Sequence, residues 1–187
     1  SEGYLFHSEN FDLPKGDGFN MVNKDIELKN IKVGSNITLR NVFFNTGKSD
    51  VKKDSYTELD RLVALLLEIP SLKIEISGHT DNVGSESFNE LLSQKRADVC
   101  VEYLISKGIQ KERLIAIGKG ESVPFIIVNK DGRFKEGDVL TQSYIKKIKF
   151  RKNKEKAHQY NRRTTFKVLA EEENTQSKPS SLLKENK

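Results

Sequence analysis

The chain holds a single cysteine, Cys100, among 187 residues, so an internal disulfide is excluded. Its only histidines are His7, His79 and His158, and without a second cysteine they do not add up to a structural zinc site. Neither a metal nor a cofactor is expected. Long apolar runs are also missing. The longest, Leu62-Val63-Ala64-Leu65-Leu66-Leu67, is ended by Glu68, far short of the roughly 18 residues a membrane helix needs. No basic start followed by an apolar stretch marks a signal peptide. The sequence opens in mid-pattern with Ser1-Glu2-Gly3-Tyr4-Leu5-Phe6, which reads as a piece of a longer protein, so the missing targeting segment says nothing about location.

What is present is a polar chain with enough apolar content for one core: 35% hydrophobic and 32% charged residues. The net charge of +5 is unevenly placed. Nine of the 32 Lys and Arg residues lie between Lys146 and Arg163 with one acid, Glu155, of the 27, which leaves the rest of the chain at −3. The basic character therefore belongs to one segment, which weakens a nucleic-acid reading. A solvated surface is the plain account of that segment. Contact with carboxylates of a polymer, an anionic lipid surface or a partner is the alternative.

Glycine and proline punctuate residues 1–35, and the alternation in Ile26–Val33 predicts a half-buried strand. A second strand is expected over Ile37–Phe44. Leu59, Leu62, Val63, Leu66 and Leu67 fall at helical spacing, which predicts a helix over Lys53–Ile69, capped by Asp54 or Ser55 and stopped by Pro70. Leu72–Ser77 alternates as a strand. After a polar loop, a second helix is expected, with Phe88, Leu92, Val99, Tyr103 and Leu104 as its stripe and Gly108 as its C-cap. Cys100 lies in that pattern and reads as a small buried hydrophobe. Leu114–Ile117 is a further strand, followed by a turn at Gly118–Glu121. Thr141 caps a short helix with Tyr144, Ile145 and Ile148, and the basic run continues as a helix ending near Tyr160. Thr164–Leu169 is the last strand, and the polar stretch from Glu171 reads as a disordered tail. The order β-α-β-α-β-α-β from residue 37 predicts an α/β fold, a mixed sheet with helices packed on it.

The densest chemistry is Gly78-His79-Thr80-Asp81-Asn82-Val83-Gly84-Ser85, at a strand end before a helix, where backbone N–H groups and the helix N-terminus face a ligand. Asn89 and Arg96 lie two helical turns apart and share a face. Asp81 and Arg96 offer a negative and a positive group around one cleft, and Asn161-Arg162-Arg163 adds donors. A matching ligand carries both a carboxylate, for Arg, and an ammonium, for Asp. On the residues alone a plainer reading stays open: Asp81 caps a loop and Arg96 makes a surface ion pair worth about 0–1 kcal/mol.

Four blocks in order carry a resemblance over residues 37–169: Gly78–Ser85; Asn89-Glu90-Leu91-Leu92-Ser93-Gln94-Lys95-Arg96-Ala97; Leu114–Pro124; and Asn161-Arg162-Arg163-Thr164. They resemble the C-terminal domain family of outer membrane protein A, shared by the peptidoglycan-associated lipoprotein and the flagellar stator protein MotB. The resemblance implies a two-layer α/β sandwich in the periplasm that binds peptidoglycan non-covalently, through the diaminopimelate of the stem peptide. It implies that Asp81 and Arg96 grip the free amino and carboxyl groups, supported by Asn89, Thr80, Val83 and Gly84, with either Arg162 or Arg163 lining the pocket. The family often has Phe-Asp at the end of its first strand. Here the run is Phe43-Phe44-Asn45, so Asn45 removes one negative charge. The implied domains are an N-terminal segment over 1–35, the binding domain over 36–170 with a basic insertion at 125–160, and the tail over 171–187. Gly3–Phe6 with Ser8–Phe11 resembles the end of a carboxypeptidase-regulatory-like β domain, found before this module in multidomain envelope proteins of Bacteroidetes-type bacteria, among them an anchor of type IX secretion. Partners are then peptidoglycan and other envelope or secretion-machine proteins, with membrane association expected through parts outside this chain.

Three rivals remain. A hydrolase would use His79 and Asp81 as base and orienter, but no nucleophile motif accompanies them. Nucleic-acid binding by the basic run has sparse aromatics, Phe150 and Tyr160. A stator role needs a transmembrane helix elsewhere.

Overall fold

The structure, a computed structural model, describes residues 32–39, 41–45 and 47–171. The resemblance at residues 3–11, most of the strand expected over Ile26–Val33, and the expected tail beyond Glu171 lie outside the described residues. Lys32 and Val33 belong to a turn, closed by the Ser35 N–H donating to the Lys32 carbonyl at 2.9 Å.

Four strands form one mixed sheet: β1 (Asn36–Leu39), β2 (Leu72–Gly78), β3 (Leu114–Gly118) and β4 (Thr164–Glu171), in the order β1-β4-β2-β3. β2 and β3 run parallel, joined through α2 (Glu86–Ser106), whereas β4 is antiparallel to both β1 and β2. The ends of β2 and β3 and the start of β4 therefore meet at one edge of the sheet. α1 (Tyr56–Glu68) and α2 pack with the sheet around a core that includes Leu59, Leu62, Ile74, Ile76, Leu104 and Phe166, each fully buried and each worth roughly 1.5–3 kcal/mol on burial.

The expected strand over Ile37–Phe44 is shorter than its apolar run. Past Leu39 the chain is pinned to the start of α1: the Ser55 hydroxyl accepts from the Phe43 N–H at 2.8 Å and donates to its carbonyl at 3.2 Å. Ser55 thus does not cap α1 with its side chain, and a 3-10 turn over Lys53–Ser55 leads in instead. Of the expected α1 stripe, Leu67 is exposed and Leu65 is buried in its place. Gly108 ends α2 as expected. Its φ of 93° lets the Gly108 N–H reach the Ile105 carbonyl and the Ile109 N–H reach Leu104, the paired bonds of a Schellman cap.

The α2 stripe is shifted from the expected one. Its buried face is Asn89, Ser93, Arg96, Ala97, Cys100, Val101 and Leu104, while Phe88 is half exposed. α2 crosses the strand ends too closely for larger groups. A Cβ on Gly78 would lie 2.2 Å from the Ser93 carbonyl oxygen, and one on Gly118 would lie 2.5 Å from the Gln94 nitrogen. The Gln94 side chain closes the seam, accepting from the Gly118 N–H at 2.6 Å and donating to Ala116 O at 3.1 Å.

The lysines and arginines over 125–160 are nearly all exposed, and apolar residues among them bury together. Ile127, Phe134, Leu140, Ile145, Ile148 and Ala157 form a second small core beneath α3 (Gln142–Lys146) and α4 (Arg151–Asn161). Thr141 caps α3 as expected, accepting from the Tyr144 N–H at 3.1 Å. Asn161 ties this unit together: its side-chain oxygen accepts from Phe125 N at 2.8 Å and its amide donates to Leu140 O at 2.9 Å.

Candidate functional site

At the shared edge the backbone of the β2–α2 loop is stitched to both neighbours. The His79 N–H donates to Arg163 O and the Thr80 N–H to Gly120 O, each at 2.9 Å. Asp81 follows, 6% exposed. Its Oδ1 accepts from the Val83 N–H at 3.2 Å, while its Oδ2 lies 2.5 Å from Arg162 Nη1 and 3.5 Å from His158 Nδ1. Asn89 holds the loop from α2, its amide donating to Asp81 O at 3.1 Å and to Glu121 Oε2 at 2.7 Å. Gly84 sits over Asn89 at a φ of 108°, a conformation that L side chains rarely adopt. Ser85 starts the helix by accepting from Phe88 N.

Arg96 is 7% exposed and is fixed from the other side. Its Nε donates to Lys48 O at 3.1 Å and its Nη2 to Asn45 O at 3.4 Å, with the guanidinium 4.9 Å from the Phe44 ring centre. Burial lowers its pKa, the Asp81 charge opposes that shift, and the Arg162 charge adds to it. All three charges thus act in one field, although Asp81 and Arg96 make no ion pair with each other.

The expected residues separate into groups. Asp81, Asn89 and Arg162 converge, and Arg96 lies on the same helix face as Asn89. Arg163 does not join them. It turns to the Val123 carbonyl and stacks 5.5 Å from the Phe125 ring, and burial lowers its pKa to about 10. Asn45 offers Arg96 its backbone carbonyl and leaves its side chain exposed. Thr80 is buried with its hydroxyl unpartnered, while Val83 is 64% exposed at the rim.

Sequence reasoning missed His158, Glu155 and Glu121. Glu155 bonds Arg162, which also donates to the Gln159 amide oxygen at 2.8 Å. The signal was there: Glu155, His158 and Arg162 recur at one-turn spacing, on one face of α4. His79 and Asp81 do not form the base-and-orienter pair of a hydrolase. The His79 ring lies 3.3 Å from Thr165 Oγ1, and burial, then Arg163 and Lys119, lowers its pKa to about 3. Cys100 is fully buried and its thiol pKa is pushed up to about 12.

Known proteins with related sequences match part of this chain. Outer membrane porin F of Pseudomonas fluorescens is 39% identical over 83 residues, 44% of this chain and 26% of that protein. Outer membrane protein A of Salmonella typhi is 42% identical over 85 residues, 44% of this chain and 24% of that protein. The chain thus spans about a quarter of the length of these relatives. In fold it is similar to the periplasmic domain of Helicobacter pylori MotB, with a TM-score of 0.53 at 15% identity over 79% of this chain and 82% of that one. An outer membrane protein of Borrelia burgdorferi gives 0.50 at 22% identity, over 77% and 96%. The sequence model of the OmpA family matches residues 43–138, which include Asp81, Asn89 and Arg96, and the chain belongs to that family.

Proposed function

We propose that this cleft grips the stem peptide of peptidoglycan non-covalently and thereby anchors an outer-membrane protein or envelope complex to the cell wall, from the periplasmic side. The ligand is the diaminopimelate side chain, whose free end carries one ammonium and one carboxylate. The observation that carries the reading is the pairing of a buried carboxylate, Asp81, with a buried guanidinium, Arg96, that are held apart by other partners. Asp81 takes the ammonium and Arg96 the carboxylate, with Arg162 as a second cationic group. Thr80 Oγ1, Asn82 Oδ1 and His158 Nδ1 are buried without hydrogen-bond partners, and buried polar atoms are nearly always bonded to something. They supply contacts for the same ligand, with the Val83 and Gly84 backbone at the rim. The module is non-catalytic in this reading, and the outer-membrane names of its 39% and 42% identical relatives support the envelope location.

A pull-down on purified sacculi tests this. Wild type is retained, and Asp81→Asn and Arg96→Lys each lose at least about tenfold in retention, the cost of one charge-assisted contact. Equal retention of all three proteins sinks the assignment. Muropeptides released during the incubation would overturn the non-catalytic reading.

A further inference from the structure

The corner between α3 and α4 carries a dense run of exposed cations. Lys146, Lys147, Lys149, Arg151 and Lys152 are all exposed within seven consecutive positions, and among the described residues none is in an ion pair. The nearby acid, Glu155, bonds Arg162 instead. Phe150 stands among them at 72% exposure. Its mount is rigid: Ile145 and Ile148 are buried in the second core, and the Phe150 carbonyl accepts from Lys154 N at 3.0 Å as α4 begins.

This arrangement costs the free protein stability. Like charges crowd one another, and the first turn of α4 carries cations and no acid at the positive end of the helix dipole. A merely solvated lysine face gives no reason to hold a phenyl ring out on a fixed backbone. An anionic bilayer accounts for both features, since phosphates neutralise the cations while the ring enters the interface below them. The aromatic side chains flanking it, Tyr144 and Tyr160, pack inward on the second core, so Phe150 has no exposed partner in α3 or α4 with which to sandwich a nucleic-acid base.

We propose that the Lys146–Lys152 corner, with Phe150 as its apolar wedge, docks on an anionic phospholipid bilayer. α4 then acts as a spacer. Its eleven residues, about 16 Å at 1.5 Å per residue, separate this corner from Arg162 beside Asp81. Bilayer and cleft ligand are engaged at opposite ends of one helix.

Vesicle flotation with the full chain at about 0.15 M salt tests it. Wild type floats with vesicles containing about one third phosphatidylglycerol and stays behind with phosphatidylcholine alone. The double variant Lys146→Glu, Lys149→Glu loses at least about tenfold in partition, and Phe150→Ser loses about fivefold. Both keep wild-type melting, because all three positions are exposed. Both also keep wild-type retention on sacculi, which separates this outcome from any failure of the cleft assignment. Absence of flotation overturns the proposal. So does flotation insensitive to Phe150→Ser, or a short DNA duplex that binds more tightly than the vesicles. A charge-reversal variant that loses sacculus retention as it loses flotation also overturns it, assigning the corner to the wall polymer.

Discussion

Arg162 Nη1 lies 2.5 Å from Asp81 Oδ2, so the buried Asp81 carboxylate carries its own counter-ion. The pair joins the β2–α2 loop to the C-terminal cap of α4, segments far apart in sequence. Breaking a buried pair by removing one partner costs about 3–5 kcal/mol, and an exposed pair about 0–1. With Arg162 one third exposed, Arg162→Gln should destabilise by about 1–2 kcal/mol. Chemical denaturation of Asp81→Asn, Arg162→Gln and the double variant checks it, and a coupling near zero would make the contact incidental.

His79 makes stability depend on pH. Its folded pKa, about 3, is below the unfolded value of 6.5, so the unfolded chain binds the extra proton in the window between them. The stabilising term is fully present above pH 6.5 and is lost as pH falls toward 3. From pH 6.5 to 4.5 the loss is on the order of 2–3 kcal/mol. Carboxylates titrate over part of this range, so the informative quantity is the difference from His79→Gln, whose profile should be flatter by that amount in urea melts.

The seating of α2 on the sheet predicts a sharp contrast between two glycines. Gly78→Ala puts a Cβ against the Ser93 backbone, and backbone cannot swing aside. It should cost about 3 kcal/mol or more. Gly108→Ala meets nothing within 4 Å and pays only for its positive φ, about 1 kcal/mol. Midpoints of denaturation report both, and equal shifts would contradict the close crossing.

Those glycines also explain what was legible in the sequence. Leu72, Ile74, Ile76, Phe166 and Val168 alternate plainly, and the strands they predict are the strands observed. The β-α-β-α-β-α-β order follows directly. The α2 stripe was misplaced because the helix approaches Gly78 and Gly118 so closely that Ser93, a small polar residue, fills its buried face. Hydrophobic periodicity cannot register a buried serine, and it favoured Phe88 and Leu92 instead. The second core was missed because its apolar residues are scattered among lysines, and it closes only when residues 125–140 fold back under α3 and α4. Asp81, Asn89 and Arg96 were legible as a constellation because strand end and helix face are local features. His158 and the choice of Arg162 over Arg163 depend on how α4 docks, which no local pattern encodes.

Cys100 offers a direct probe of the main core. A fully buried thiol with a pKa near 12 is neither accessible nor ionised at neutral pH. Iodoacetamide should leave native protein unlabelled and modify it stoichiometrically in denaturant. Rapid native labelling would mean that α2 opens away from the sheet.

Asn45 is the position where sequence and structure together sharpen the charge balance of the cleft. The resemblance leads one to expect an aspartate there, whereas here the side chain is neutral and exposed, and only its carbonyl touches Arg96. In the proposed reading Asp81 is then the principal anionic group for the ligand ammonium, and it is already paired with Arg162. Asn45→Asp should strengthen the hold on a diaminopimelate-containing muropeptide. Because the position is exposed, the gain is limited to about 1 kcal/mol, roughly fivefold in affinity, and should fade with added salt. Titration calorimetry at low and high salt measures both effects. Weaker binding would mean that the new carboxylate pairs with Arg96 and competes there with the ligand's own carboxylate.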